Sequence, residues 1–417
     1  MTALLELSER LWNGEGNTSD TDPLLTFLSE EVADGVFFLA SFGNVTAVDA
    51  GGELTLVDTG IDVLAARNHE TIRAWTNTPV HTAIYTHGHI DHVGGVGPFD
   101  EENAQRGRSV KVLAHEAVPR RFARYAGTAG YNTSINLRQF GADTGFIFPE
   151  HFRVPDETYV DHLDMTVGDE SFELRHGRGE TDDATWVFIP QRGVLCTGDF
   201  FIWASPNAGN PQKVQRYAAD WAVALREMAA RDAEILLPGH GVPIVGTDRV
   251  RRALEETAEL LDFLEQQTRE MMNDGARLDD IIHSIDPPAH LLERPYLRPV
   301  YDEPEFVIRN VWRLLGGWWD GNPATLHPAP ENALARVVAD LAGGVTALAD
   351  RALAQADAGD LRVAGHLVEM AVQAAPDDVG VHRARAEILR RRREHATSLM
   401  AKGVYGAAAL ESEQRLR

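Results

Sequence analysis

A short run of metal-binding residue types, directly after an apolar stretch, most constrains how this chain can fold. Residues 82–86 are typical of a buried strand, and His87, His89, Asp91 and His92 follow within six positions. Adjacent and alternate residues point in different directions on a helix, so this cluster cannot share one helical face. In a loop at a strand end, the same side chains can spread around two ions. We therefore predict a metal-binding loop at the edge of a sheet.

The first 250 residues alternate short apolar runs with glycine-rich turns and helical stretches. Helices are predicted over residues 62–75 and 212–231, the second with Asn210 as its N-cap and Pro211 in its first turn. Strands mixed with helices in this order indicate an α/β sandwich. The predicted strands cover residues 36–40, 54–58, 82–86, 110–114, 172–176, 185–189, 194–197 and 235–237.

The pattern changes after about residue 248. From residue 331 onward the chain is rich in alanine, arginine and glutamate, without a convincing strand pattern. Because 417 residues exceed what one ordinary domain needs, we predict two domains, at residues 1–250 and 251–417, the second all-α. Helices are predicted at residues 249–272, 352–374 and 379–393, the last two as a hairpin.

Charge and cysteine content narrow the choice of partners. The 39 basic and 63 acidic side chains give a net charge of −24, which repels nucleic acid and anionic membrane surfaces. The single cysteine, Cys196, allows no internal disulfide. Residues 1–12 lack the basic start and long apolar stretch of a signal peptide, and no segment is apolar enough to span a bilayer. We expect a cytoplasmic protein with a small-molecule substrate.

Further ligand types occur in turns and after apolar strands later in the chain. Glu180 and Asp182 lie in a turn before a strand, Asp199 follows a strand, and His240 stands between two glycines. Two metal ions need more than four ligands, so these residues are candidates for the remainder. His176, four residues before Glu180, is a rival ligand that fits a strand position better. Imidazole nitrogen and carboxylate oxygen together suit zinc, with iron or manganese as alternatives.

The order of these motifs resembles the metallo-β-lactamase superfamily. Its upstream strand motif, its HxHxDH signature and its two later ligand motifs are matched by residues 56–60, 87–92, 197–199 and 239–241. The resemblance covers roughly residues 30–245 and implies an αββα sandwich. It also implies that Asp58 supports the metal histidines without itself binding metal.

One departure resembles the alkylsulfatase branch of that superfamily. Most members carry a histidine where this chain has Glu180. The alkylsulfatase branch has a glutamate there, ten residues before a strand-ending proline, which is Pro190 in this chain. A further carboxylate of the branch lies nine residues after the proline, on Asp199, where the branch has glutamate.

The second half resembles the same branch. Residues 295–304 and 316–326 are similar to the alkylsulfatase dimerisation domain, which implies a homodimer held by an all-α region. Members of the branch commonly end in a sterol-carrier-like domain that helps to hold the alkyl chain. The sequence reaches only Arg417, so we expect it to lack that domain, which weakens the case for a long-chain detergent substrate.

The resemblance implies a ligand set for two zinc ions, with other divalent metals as alternatives. The ligands of one ion would be His87, His89 and Glu180, and those of the other would be Asp91, His92 and His240. Asp199 would bridge the ions, and Asp91 would also count as a catalytic residue. The ions would lower the pKa of a water and neutralise charge on the ester oxygens.

Substrate recognition departs from the histidine, asparagine and arginine that grip sulfate in the branch. Asn207 falls on the asparagine by spacing. The arginine has no clean match, so Lys213 or Arg216 is expected to supply the cationic catalytic group. A second candidate patch, polar and aromatic in a predicted loop region, consists of Tyr131, Asn132 and Arg138.

These features favour a binuclear zinc hydrolase that cleaves sulfate esters. The alternative is a hydrolase of another ester, a lactone or a phosphodiester on the same metal site, since this fold hosts many reactions. A third interpretation is a dimeric binding protein without activity, and the complete ligand set argues against it.

Overall fold

The computed structural model describes residues 3–15, 24–141 and 145–417. The chain divides into two compact units. The first comprises Met1–Ala129, Pro149–Ala276 and Asp280–Leu315, and the second comprises Gly130–Phe148, Arg277–Asp279 and Gly316–Arg417.

Within the described residues, the first unit contains a seven-stranded and a six-stranded sheet. The first sheet, in both spatial and chain order, consists of β1 (Ser29–Ala33), β2 (Val36–Leu39), β3 (Val45–Asp49), β4 (Leu54–Val57), β5 (Val80–Ile84), β6 (Lys111–His115) and β7 (Glu157–Tyr159). The second consists of β8 (His162–Val167), β9 (Glu170–His176), β10 (Thr185–Ile189), β11 (Val194–Ile202), β12 (Ile235–His240) and β13 (Ile244–Val245), in the reverse of chain order. Strands β4 to β7 are parallel, as are β11 and β12.

The α-helices are α1 (Ala3–Trp12), α2 (Ala65–Trp75), α3 (Ile90–Val93), α4 (Gly97–Gln105), α5 (Val118–Gly127), α6 (Ala129–Phe140), α7 (Ala218–Ala229), α8 (Thr247–Asn273), α9 (Leu278–Ser284), α10 (Ala289–Leu292), α11 (Pro304–Gly316), α12 (Pro323–Leu326), α13 (Glu331–Leu341), α14 (Val345–Asp357), α15 (Leu361–Ala374), α16 (Val379–His395) and α17 (Leu399–Gln414). Two short 3-10 helices cover Asp62–Leu64 and Pro190–Arg192.

Alternation along the strands of the first sheet sends side chains into two separate cores. In β2, Val36 and Phe38 pack with the second sheet and with α7 and α8, whereas Phe37 and Leu39 pack with α2, α4 and α5. Successive side chains of a strand point to opposite faces, so a sheet covered on both faces is apolar at every position, as the fully buried β2 is. The predicted αββα sandwich is confirmed, and residues 249–272 form a long helix as predicted.

The predicted helix over residues 212–231 is wrong in its first turns, because α7 begins only at Ala218. The backbone of Arg216 instead forms hydrogen bonds with the side chain of Asn310. Asn310 Nδ2 donates to the Arg216 carbonyl at 2.9 Å, and the Arg216 amide donates to Asn310 Oδ1 at 3.4 Å. This tertiary contact replaces the helical hydrogen bonds that the local sequence favours. Asn210 therefore does not cap the helix, and Tyr217 stands at its N-cap.

The polar patch predicted as a loop at residues 131–138 lies on α6. Ser134 Oγ donates to the carbonyl of Gly130 at 3.1 Å, and Asn136 Nδ2 donates to that of Asn132 at 2.7 Å. These side chains satisfy their hydrogen bonds against the preceding helical turn, which reconciles a polar sequence with a helix.

In the second unit, helices α13 to α16 pack around a core that contains Leu348, Ala352, Val368 and Ile388. The helix predicted over residues 352–374 is two helices, since Gly359 adopts φ +89° and turns the chain between α14 and α15. Within the described ranges no single helix is long and apolar enough for a membrane span; α13 and α14, bent by 86°, would meet the length and composition only as a pair.

Candidate metal centre

The ligand-type residues meet where strands of both sheets end. His87 and His89 follow β5, Asp199 lies within β11, and His240 is the last residue of β12. The Thr185 amide donates to the Thr86 carbonyl at 2.7 Å and so ties the start of β10, five residues after Glu180, to the histidine loop. Strands of both sheets thus bring the candidate ligands together.

The structure gathers the seven predicted ligands into two groups, and the potential ligand atoms of each group lie within 4.8 Å of one another. The first group consists of His87, His89, Glu180 and Asp199, and the second of Asp91, His92 and His240. In the first group, His87 Nε2 lies 2.8 Å from His89 Nδ1. In the second group, His240 Nε2 lies 3.3 Å from Asp91 Oδ2 and 3.4 Å from His92 Nε2.

Asp199 is within reach of both groups. Its Oδ2 lies 3.7 Å from His87 Nε2 and 3.6 Å from His240 Nε2, and its Oδ1 lies 3.3 Å from His92 Nε2. Among the described residues, Asp199 Oδ1 is a buried oxygen that accepts no hydrogen bond. Buried ring nitrogens that face one another and a buried carboxylate oxygen without a donor fit divalent cations, whose coordination would satisfy them.

Asp58 forms hydrogen bonds with both His92 and Thr86. Its Oδ2 lies 2.7 Å from His92 Nδ1, and its two oxygens accept from the Thr86 amide and hydroxyl at 2.7 Å each. Asp58 itself has φ +57°, a conformation that is uncommon for residues other than glycine. The bond at Nδ1 leaves His92 Nε2 directed at Asp199, the arrangement in which a second carboxylate fixes a ligand histidine.

The carboxylates of the centre favour positive charge on the groups around them. Burial lowers the pKa of His240, but the charges and hydrogen bonds of Asp199 and Asp91 outweigh it and raise this pKa to about 10. The pKa of His92 is likewise raised, against burial, by Asp199, Asp58 and Asp91. Carboxylates that would hold protons on the buried His92 and the partly buried His240 create a negative field that a divalent cation would neutralise.

Gly239 is required by close approach to this centre. A Cβ on Gly239 would lie 2.1 Å from Asp199 Oδ1, so a side chain there would displace the carboxylate common to both groups. The glycine on the amino side of His240 is therefore a packing requirement of the ligand motif.

Glu180 is buried against Arg216, a predicted catalytic cation, and Asn207, a predicted substrate-binding residue. Arg216 Nη1 lies 2.6 Å from Glu180 Oε1 and also donates to the Glu180 carbonyl at 2.6 Å. Asn207 Nδ2 donates to the same Oε1. Burial raises the pKa of Glu180 to about 8, with Asp199 acting in the same direction and Arg216 opposing it. Arg216 and Asn207 thus hold Glu180 within the first ligand group.

Lys213 is the remaining predicted cation near the ligands. It is half-buried, and burial together with the charge of Arg216 lowers its pKa to about 8, against Asp91 and Glu180. Tyr301 is a residue that the sequence did not single out. Burial, together with Glu180 and Asp91, raises the pKa of Tyr301. Its position in the aromatic stretch before α11 was the only available signal.

The other candidates are not members of either ligand group. The rival ligand His176 belongs to neither group: it is the last residue of β9, stacks on His115 at 3.7 Å between ring centroids, and bonds through Nδ1 to the Ala184 carbonyl at 2.9 Å. Tyr131, Asn132 and Arg138 lie on the part of α6 that belongs to the second unit, with Tyr131 exposed and Asn132 buried.

Two family models match the chain. Residues 39–240 match the metallo-beta-lactamase superfamily, and residues 277–415 match the family described as alkyl sulfatase dimerisation. The chain is 27% identical over 395 residues to a linear primary-alkylsulfatase of a Pseudomonas species, covering 88% of this chain and 74% of that protein. It is 26% identical over 401 residues to an (R)-specific secondary-alkylsulfatase of Pseudomonas, covering 88% of this chain and 59% of that protein.

A third relative is an alkyl/aryl-sulfatase of Saccharomyces cerevisiae, 24% identical over 413 residues, which covers 92% of this chain and 64% of that protein. The chain thus spans between 59% and 74% of the length of these relatives. The solved structure of a stereoselective inverting sec-alkylsulfatase from Pseudomonas shares the fold, with a TM-score of 0.83 at 24% identity over 93% of this chain and 66% of that one. The chain belongs to the alkylsulfatase-like branch of the metallo-β-lactamase superfamily, with an alkyl sulfatase dimerisation region after the superfamily domain.

Proposed function

We propose that this protein is a hydrolase of sulfate esters that works with two divalent cations, zinc in the first instance. The observation that carries the proposal is the meeting of two ligand groups at Asp199, with Lys213 close enough to Asp91 and Glu180 for their charges to act on its pKa. The relatives named as alkylsulfatases support the same class of substrate.

Each cation has its own ligands in this proposal. The first would be held by His87, His89 and Glu180, the second by Asp91, His92 and His240, and Asp199 would contact both. When bound, the two cations supply a water of lowered pKa and neutralise charge on the ester oxygens.

The chain's own residues divide the remaining work. Arg216 and Asn207 both contact Oε1 of Glu180, so we assign them to holding this carboxyl group. Lys213, half-buried beside the ligand carboxylates, is the better source of positive charge for the sulfate oxygens. Burial of this charge strengthens its interaction with an anionic group.

The test is a substrate panel on the zinc-loaded full chain, with alkyl sulfates, aryl sulfates, phosphodiesters and lactones compared by kcat/KM. We expect sulfate release from the sulfate esters to exceed phosphodiester and lactone turnover by at least about 100-fold, roughly 3 kcal/mol in transition-state free energy. A reversed order would identify a different hydrolase, and full metal content without turnover would identify a binding protein. Reaction in ¹⁸O water shows which bond breaks, since label in the alcohol means C–O cleavage and label in the sulfate means S–O cleavage.

We also propose that the chain forms a homodimer through its second unit. Large apolar side chains stand exposed on this unit: Trp318 at 72%, Leu334 at 53%, Val337 at 56% and Leu341 at 84%. The last three are spaced three and four residues apart on α13 and so form one stripe of the helix. Contiguous exposed apolar surface of this kind marks association sites, and the dimerisation family model covers the same residues.

A further inference from the structure

A buried ion pair lies directly against the histidine loop without belonging to either ligand group. Arg121 of α5 and Asp183 are both almost inaccessible, with side chains 2% and 0% exposed, and Arg121 Nε donates to Asp183 Oδ2 at 2.5 Å. Arg121 also donates to Asp182 Oδ1. A buried pair of this kind is weak evidence for stability by itself, because desolvation offsets the Coulombic attraction. We therefore look for the role of the Arg121–Asp183 pair in the residues that it contacts.

The Arg121–Asp183 pair contacts Gly88, which lies between the two histidines of the first ligand group. The Gly88 amide donates to Asp183 Oδ2 at 3.3 Å. A Cβ on Gly88 would lie 2.8 Å from Arg121 Cδ and 3.1 Å from Asp183 Oδ2, so residue 88 is pressed against both members. Gly88 separates His87 from His89, and the position of its amide sets the spacing of these two rings.

The same pair fixes the third member of that group. Asp183 follows Glu180 by three residues, so the Gly88–Asp183 bond joins the turn that carries Glu180 to the loop that carries His87 and His89. The second group is held differently. The side chains of Asp91, His92 and His240 form hydrogen bonds and ion pairs with Asp58, Asp199 and one another, and none of those described is with Arg121 or Asp183.

We propose that Arg121 and Asp183 are positioning residues that set the cation affinity of the first ligand group and leave that of the second unchanged. The inference rests on the proposed two-cation function. In this proposal the ion pair orients the metal ligands, as carboxylates that hydrogen-bond to metal ligands often do. Loss of such a carboxylate typically weakens metal binding by about 10–100-fold.

The experiment uses the full chain, stripped of metal by a chelator and titrated with Zn²⁺ in calorimetry against a competing chelator. Asp183→Ala removes the acceptor for Gly88, and we expect one of two binding steps to weaken by about 10–100-fold while the other stays within about threefold. Asp183→Asn keeps an oxygen for the Gly88 amide, so it should restore most of the lost affinity. His240→Ala truncates the second group, and the Asp183→Ala effect should persist in that background.

Glu170→Ala is the matched control. Glu170 is a buried carboxylate that forms an ion pair with Arg192, whose side chain is 20% exposed, with 2.6 Å between Arg192 Nε and Glu170 Oε1, and Arg192 also contacts Asp34. This variant should leave both binding steps unchanged even if it lowers the unfolding temperature. The proposal is overturned if Asp183→Ala weakens both steps alike, weakens neither, or matches Glu170→Ala. Wild-type protein that takes up no second cation would instead overturn the proposed function, before any variant is compared.

Discussion

Arg216 and Glu180 form an ion pair that is almost fully enclosed, with 2.6 Å between Arg216 Nη1 and Glu180 Oε1 and exposures of 2% and 5%. At pH 9, above the pKa of about 8 to which burial raises Glu180, Arg216→Ala would leave the carboxylate buried without its compensating charge. We expect the metal-free protein to lose about 3–5 kcal/mol in unfolding free energy, measured by urea denaturation. The control is Arg178→Ala, which removes an exposed pair with Asp220 and should cost at most about 1 kcal/mol.

The pH dependence of zinc binding should report Glu180. Its pKa is raised by burial to about 8, and only the deprotonated carboxylate is a ligand. Zinc affinity of the first group should therefore rise from pH 6 to pH 8 and level off above. Arg216→Ala removes a neighbour that lowers this pKa, so the rise should move to higher pH. An unshifted profile would mean that Glu180 does not ligate.

Asp58→Asn should weaken catalysis more than folding. An amide is a weaker acceptor for His92 Nδ1 and Thr86, so His92 loses its fixed orientation, and we expect kcat/KM to fall by about 10–100-fold. Asp156→Asn is the control, because Asp156 also anchors a backbone amide, that of Val112 at 2.8 Å, and pairs with Arg153 outside the ligand groups. Equal losses in the two variants would contradict a specific role for Asp58.

Lys213 should set the alkaline limb of the activity profile. Its pKa is lowered to about 8 by burial and Arg216, and lysine is charged only below its pKa. Activity toward a sulfate ester should thus decline as pH rises through about 8. Lys213→Arg keeps its charge at alkaline pH and should extend the plateau beyond pH 9, whereas Lys213→Met should be low at every pH. A wild-type decline that persists in Lys213→Arg would assign the limb to another group.

Light scattering should give a mass near twice the 45.9 kDa of one chain at micromolar concentration. Leu341→Glu places a charge on the exposed stripe of α13 and should shift the protein toward monomer by at least about 10-fold in dissociation constant. Val223→Glu, at a 57% exposed position on α7 in the first unit, should leave the mass unchanged. A wild-type mass near 45.9 kDa would contradict the homodimer.

The sequence allowed the two groups of candidate ligands to be predicted because most of these residues lie near a strand end or a glycine, features that leave a local signature. His87, His89, Asp91 and His92 are also close along the chain, so their grouping needs little knowledge of tertiary structure. The layered α/β fold follows equally from local alternation of apolar runs and turns.

What the sequence could not supply are partnerships between distant residues. Asn310 contacts the backbone of Arg216 across 94 positions and stops α7 from starting early. Arg121 and Asp183 are 62 positions apart. Such pairs carry no local pattern, so the spacing of motifs along the chain could not reveal them.

The Asn310 contact has a consequence for how this protein can be divided. Asn310 lies on α11, among the residues that match the dimerisation family, yet it holds the backbone of the arginine that neutralises Glu180. Cutting the chain after residue 250 would remove both Asn310 and Tyr301. Arg216, the counter-charge of Glu180, would then lose the hydrogen bonds that Asn310 makes to its backbone. The two families recognised in this chain are thus interdependent, and grafting either one onto a different partner would require Asn310, or an equivalent, to travel with the metal centre.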